Sequence, residues 1–245
     1  MKRIERLDEA LAPDGTVLTL YRRDGAYWIQ AGGEDLMSTR RYHSEEKLAE
    51  VVCLPYQRNE RPRVLIGGLG LGFTLRAALR VLPADASVVV VEIVEKVIEW
   101  NRNVEYPLAA DALADLRVDL RNDDVAAVLR ESRGEFDAIM LDVDNGAQAL
   151  TTGSNAQLYG ERGIRNAVTA LRPGGRLAYW SADEDPRFAA HLRRAGLSVE
   201  SVRVRAHATS GGSHTLLLAR ELSSSSSTDR APHQSRGTPD RPGGP

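Results

Sequence analysis

A glycine-dense turn, Gly67-Gly68-Leu69-Gly70-Leu71-Gly72, joins a short apolar run, residues 63–66 (RVLI), to a helix-like stretch, residues 73–81. Glycines at such a turn let backbone approach a ligand and adopt φ values closed to other residues. The helix that follows presents unpaired N–H groups. Gly68, Gly70 and Gly72 are therefore candidate cofactor-binding positions, with a tight packing turn as the alternative. Glu92 closes the apolar run 87–91 (SVVVV). An acid at that strand end can accept both ribose hydroxyls of a nucleoside, or it can simply cap the next helix. Asn122-Asp123-Asp124 follows a third strand-like run, and Asp123 is placed to accept from an adenine amino group. A fourth run, residues 136–141, ends at Asp142-Val143-Asp144-Asn145. Ligands of open α/β sheets lie at the carboxyl ends of the strands. The loop, Glu92, Asp123 and Asp142 all fall at such ends. A metal site is disfavoured because no His stands near the two acids, and two carboxylates alone make a poor cage.

The rest of the chain must position these groups. From residue 61 onward, strand-like runs alternate with helix-like ones, which argues for a parallel sheet covered by helices on both faces. The last two strands, residues 198–206 and 214–219, flank Gly211-Gly212 with no room for a helix, so they form an antiparallel hairpin. Ahead of them lies a β-rich part. Residues 16–21 and 26–30 flank an Asp24-Gly25 turn signal, residues 34–39 supply a further strand, and residues 44–54 (SEEKLAEVVCL) form a helix with acids in its first turn. The expected organisation is 1–57, an N-terminal β-hairpin part with a linking helix; 58–222, a Rossmann-like nucleoside-binding domain; and 223–245, a Ser-, Pro- and Gly-rich disordered tail.

Composition narrows the function classes. The chain has 245 residues, 42% apolar and 27% charged, with a formal net charge of −2. That balance removes the electrostatic reason to expect nucleic-acid or membrane-surface binding. One cysteine, Cys53, excludes an internal disulfide and a cysteine zinc cage. No apolar run approaches the ~20 residues that span a bilayer, and the charged first residues do not resemble a signal peptide. A cytoplasmic location is the expectation. All but three of the 32 basic residues are Arg, scattered among acids rather than clustered for anion binding. His43, His191, His207 and His214 are scattered too, and read as satisfied or solvent-facing. Trp28, Trp100 and Trp180 read as core residues, and Cys53 as inert.

Five segments together resemble the spermidine synthase family of polyamine aminopropyltransferases, which has the class I S-adenosylmethionine-dependent methyltransferase fold. VLIGGLGLGFTLRAAL resembles the family's glycine loop and following helix. VVVVEIVEKVIEW resembles its nucleoside strand, with Glu92 as the ribose-binding acid. LRNDDVAAVL resembles its adenine segment, with Asp123 at the acidic position. FDAIMLDVDN resembles the segment that carries the catalytic acid, which places Asp142 there, and LYGERGIRNAVTALRPGGRLAYW resembles the helix and strand that follow. The resemblance implies a seven-stranded, mostly parallel sheet with an antiparallel last strand and a small N-terminal β-domain.

It also implies a transferase whose donor is a sulfonium nucleoside. Decarboxylated S-adenosylmethionine would give aminopropyl transfer to an amine. S-adenosylmethionine itself would give methyl transfer to another nucleophile. A non-catalytic nucleoside sensor is a third reading. Asp142 would be the general base and Asp144 its assistant. Glu46, matched without gaps to the family's Tyr-His-Glu glutamate, and Asn145, standing where the family has a second acid, are the substrate-binding candidates. Leu71 occupies the position of the family's loop acid. A homodimer is expected because dimers are common in the family. Residues 147–155 are read equally as a lid or an ordinary connection.

Overall fold

The computed structural model describes residues 3–143, 156–207 and 212–222. Asp144, Asn145, the loop 147–155 and the segment 223–245 lie outside the described residues.

The N-terminal part is a four-stranded antiparallel meander in the order β1-β2-β3-β4: β1 (Glu5–Leu11), β2 (Val17–Arg23), β3 (Ala26–Ala31) and β4 (Glu34–Ser38). The β2–β3 turn is Asp24-Gly25, both at positive φ (53° and 74°), as a two-residue hairpin with right-handed strand twist requires. Leu18, Leu20, Tyr27 and Ile29 point from one face and are buried. β1 is not anticipated by the sequence, because it is charged along most of its length. It is an edge strand, paired only with β2. Edge strands carry charge on their open face, and only Leu7 and Ala10 pack inward.

The larger sheet has seven strands in the order β10-β11-β9-β8-β5-β6-β7. These are β5 (Arg63–Gly67), β6 (Ser87–Glu92), β7 (Val118–Asn122), β8 (Phe136–Leu141), β9 (Leu171–Ser181), β10 (Leu197–Arg205) and β11 (Ser213–Glu221). β5 to β9 run parallel, and β11 is antiparallel to both of its neighbours, β9 and β10. The expected architecture is therefore the observed one. Val88, Val89, Val90 and Val91 of β6 are almost fully buried, since this strand is covered on both faces. Such side chains contribute roughly 1.5–3 kcal/mol each.

Helices cover both faces: α1 (His43–Cys53), α2 (Phe73–Val81), α3 (Glu95–Arg102), α4 (Ala110–Leu113), α5 (Val125–Glu131), α6 (Ala156–Tyr159), α7 (Glu161–Ala170) and α8 (Pro186–Arg194). α5, α7 and α8 share one core with Leu65, Ile139 and Leu177. α1 and α2 share the other with Val64, Ile66 and Met140. The linking helix α1 thus packs on the large sheet, with Leu48, Ala49, Val52 and Cys53 buried. Burial pushes the Cys53 thiol up to about 12, so it is unreactive at neutral pH.

α6 and α7 are separated at Gly160, whose extended φ of −77° and ψ of 168° break the helical path. Pro173-Gly174-Gly175 lie inside β9, whose pairing with β8 shifts register between Phe136 and Ala138. A bulge of this kind accommodates a proline that cannot donate to the ladder.

Candidate active site

The glycine loop is held by backbone on three sides. Gly68 N donates to Val91 O at 2.8 Å, and Asp142 N donates to Gly67 O at 2.9 Å. Gly68 has φ +90°, and a Cβ there would lie 2.4 Å from Asp142 O. Only glycine allows the loop to approach the end of β8 this closely. Gly70 packs against β4: an added Cβ would sit 2.8 Å from Met37 Sδ. Asn101 Nδ2 secures it by donating to Gly70 O at 2.7 Å. Gly72 occupies the position before α2 at φ +79°. The small sheet therefore closes over the loop, and its apolar face meets Leu71, Val94, Val97 and Trp100. Trp100 Nε1 adds a hydrogen bond to Asp8 Oδ2 at 3.0 Å.

Glu92 and Asp123 stand at neighbouring strand ends, those of β6 and β7. Glu92 is buried, and its carboxylate accepts from Leu69 N and from Val94 N, each at 2.9 Å. It thereby ties the loop to the start of α3. Asn122 Nδ2 donates to Glu92 O at 2.9 Å, and Asp123 N donates to the same oxygen at 3.2 Å. Asp123 is exposed, and Asp124 beside it caps α5 through Ala126 N. Ile93, also exposed, stands next to Glu92.

A cavity of about 220 Å³ opens beyond the loop. Its wall includes Leu69, Gly70 and Leu71 from the loop, Met37 from β4, and Asp142 from the end of β8. Glu92, Asp123, Gly68 and Gly72 stand outside this lining. Thr74, in the first turn of α2, donates its hydroxyl to Asp142 Oδ2 at 2.8 Å. Facing Asp142 is Glu45, from the first turn of α1. Asp35, Arg41, Trp180 and His214 complete the polar and aromatic wall. Arg41 is ion-paired with Asp35 at 3.3 Å.

Glu46, the substrate-binding candidate of the sequence, has its carboxylate 2.7 Å from Arg80 and does not line the cavity. The helical rotation between adjacent residues turns Glu45 inward and Glu46 outward. Glu45, Thr74 and His214 escape sequence reasoning. The available signal was the paired Glu45-Glu46 at a helix start. Leu71 is 3% exposed and belongs to the apolar cluster between the two sheets. The carboxylates on the described wall are Asp35, Glu45 and Asp142. Among the described residues no group of three His, Cys, Asp or Glu could hold a metal, and no helix is long and apolar enough to cross a membrane.

The facing acids are perturbed. Burial first, then the charge of Asp142, pushes Glu45 up to about 7, with the Ser44 hydroxyl pulling it partly back. Burial pushes Asp142 up to about 6, against the hydrogen bond from Thr74. Two interacting acids titrate as a pair. Both acids are thereby brought toward neutral pH, where a carboxylate can take a proton from a substrate.

The same shift has a stability consequence. An acid whose folded pKa lies above its unfolded value makes the fold bind protons more tightly. Stability therefore falls as pH rises from about 4.5 to about 7 and stays lower above that. Glu45→Gln removes the larger shift. Its melting temperature is expected to exceed that of the wild type at pH 8, and the gap to close at pH 5. Thermal unfolding at the two pH values checks this, and an equal gap at both would contradict it.

Comparison with known proteins follows the same lines. The family model of the spermine/spermidine synthase domain matches residues 41–191, more than half of the chain. Polyamine aminopropyltransferases of two Leptospira biflexa strains are 29% identical over 146 residues, covering 60% of this chain and 49% of theirs. The chain thus spans about half the length of the curated relatives it matches. Among solved structures, a spermidine synthase in complex with the transition state analogue AdoDATO superposes with a TM-score of 0.69 at 20% identity, over 87% of this chain and 73% of that one. The Thermotoga maritima spermidine synthase gives 0.66 at 20% identity, over 87% and 72%. A probable spermidine synthase from Corynebacterium glutamicum gives 0.60 at 17%, over 93% and 84%. These likenesses share the fold. With the glycine loop, the strand-end acids and Asp142 all inside the matched residues, the chain belongs to the spermine/spermidine synthase domain family.

Proposed function

We propose that this protein transfers an aminopropyl group from decarboxylated S-adenosylmethionine to a small amine. The observation that carries the reading is the placement of the two facing carboxylates, Glu45 and Asp142, on the wall of a cavity bounded by the glycine loop. In the transfer, the amine lone pair forms a bond to the carbon beside the sulfonium. The carbon–sulfur bond breaks, and its electrons neutralise sulfur as the thioether leaves. The new secondary ammonium loses a proton to the carboxylate pair. Asp142 is the base and Glu45 shares its charge. Glu92 takes the ribose hydroxyls, Asp123 the adenine amino group, and the exposed Ile93 offers the base an apolar face. Gly68, Gly70 and Gly72 let the backbone pass close to the donor. Asp144, as an assisting acid, and Asn145, as a substrate-binding residue, remain candidates from the sequence alone.

The donor ammonium has no partner at Leu71. We assign it to the wall carboxylates, of which Asp35 is the one outside the base pair. A cationic donor and acceptor suit a wall whose carboxylates outnumber its single arginine. A cytoplasmic setting and a homodimer belong to the same reading.

Calorimetric titration with decarboxylated S-adenosylmethionine, S-adenosylmethionine and methylthioadenosine tests the donor. The decarboxylated form should bind at least ten-fold more tightly than the intact amino acid. The reverse preference would sink the aminopropyl reading in favour of methyl transfer.

A further inference from the structure

Glu45 is connected to a second titratable group that the transfer reading does not use. Ser44 is completely buried at the start of α1. Its hydroxyl donates to Glu45 Oε2 and lies 2.8 Å from His214 Nδ1. A hydroxyl has one proton. While Ser44 donates to an ionised Glu45, it can only accept from His214, so Nδ1 must carry a hydrogen. When Glu45 is protonated the chain reverses: the carboxylic O–H donates to Ser44, Ser44 donates to Nδ1, and the ring hydrogen moves to Nε2. The two directions are the end states of a proton wire.

We propose that Ser44 and His214 form a relay that carries the abstracted proton from the Glu45–Asp142 pair out to the solvent side of the cavity. The proposal rests on the transferase reading for the source of the proton. The balance is simple. The secondary ammonium gives one proton to the carboxylate pair. Protonated Glu45 passes its proton to Ser44 Oγ as the hydroxyl proton moves to His214 Nδ1, giving an imidazolium. The imidazolium releases its Nε2 proton to water, and the neutral Nδ1–H ring remains beside an ionised Glu45. No oxidant or further reactant is needed.

The surroundings suit a transient imidazolium. His214 is part-exposed at the start of β11 and packs edge-on to Trp180, with ring centroids 4.7 Å apart. The charged groups that face it are Arg41 and Asp183. Burial and the Arg41 charge hold its pKa below the ordinary histidine value, and Asp183 opposes them. Those facing Glu45 are Asp142 and Glu46. A cation held next to Arg41 is driven to lose its proton rather than to store it. Ser44 and His214 act through Glu45, so they are positioning groups and not catalytic residues.

The test reads the ring directly. In protein labelled with ¹⁵N-histidine, with the His214 signals assigned by comparison with His214→Asn, the ring should be the Nδ1–H tautomer above pH 8. It should turn to Nε2–H as pH falls through about 7, before the ring itself protonates. Glu45→Gln and Ser44→Ala should each abolish that change of tautomer. In the transfer assay, Ser44→Ala and His214→Ala should lower kcat about ten-fold with KM little changed, and added imidazole should restore His214→Ala. A ring whose tautomer ignores the state of Glu45 overturns the relay, whether or not transfer is observed. Wild-type kcat in both variants at every pH also overturns it. A wild type inactive with every amine overturns the aminopropyl reading instead, and the ring titration still decides whether Glu45 and His214 exchange a proton.

Discussion

Asp142→Asn is expected to reduce transfer about 10²–10⁴-fold, the range of a lost general base, while leaving nucleoside affinity within about two-fold. The reason is the separation of tasks along the strand ends. Asp142 faces the cavity and takes no part in holding Glu92 or Asp123. Its backbone, which contacts Gly67 and Gly68, is unchanged in the Asn variant. Asn keeps an acceptor for the Thr74 hydroxyl but cannot take a proton. It also removes the charge that raises Glu45, so the residual activity should follow a lower, single titration of Glu45. The wild-type kcat/KM should rise with pH across the range of the pair, about 6 to 7, because the ionised form is the active one. Initial rates over pH 5–9, together with calorimetry of donor binding, measure both effects. Equal loss of binding and turnover would show that Asp142 holds the donor rather than the proton.

Leu71→Asp carries the second large effect, on stability. Sequence comparison makes it look like a repair, because it restores an acid to the position of the family's loop acid. The packing says otherwise. Leu71 lies within the cluster formed by Leu20, Ile29, Val94 and Trp100. An acid there gives up the burial of a leucine, roughly 1.5–3 kcal/mol, and must stay protonated or leave a charge unpaired in apolar surroundings. A loss of about 3–5 kcal/mol relative to wild type is expected at pH 7, on the scale of a buried charge left unpaired. The loss should grow with rising pH, because the raised acid must then ionise. Leu71→Ala should cost less than Leu71→Asp at pH 8. Urea unfolding of the two variants at pH 5 and pH 8 checks the order. An Asp variant as stable as wild type would show that a side chain at position 71 can turn from the cluster to the cavity that Leu71 also borders.

The sheet was readable because its signals are local. Four consecutive valines in β6, the glycine run after β5 and the acids that close β6 and β8 each announce a strand end. β1 was not readable, because an edge strand with one wet face looks like a charged coil. The site divides in the same way. Asp142, Glu92 and Asp123 are attached to strand ends and could be counted off. Glu45 could not be told from Glu46, since which one turns inward depends on how α1 sits on the large sheet. His214 pairs with Ser44 across 170 positions of sequence, a contact that no spacing rule contains. Leu71 could be seen to depart from the family, but only the closing of the small sheet over the loop shows what holds it there.

β11 lies between β9 and β10 and runs against the parallel strands, so its first residues reach the edge where those strands end. That geometry fixes the order in which the protein can be assembled during synthesis. The glycine loop, Glu92 and Asp142 are all made before residue 160, but the sheet must admit one more strand, entering between neighbours made earlier, before His214 meets Ser44. Pairings this distant in sequence form late. A nascent chain halted before residue 213 would carry the glycine loop and both carboxylates, with Ser44 bonded to Glu45 and lacking its contact to His214. Completion of the chain of contacts from Glu45 through Ser44 to His214 thus waits until β11 is made.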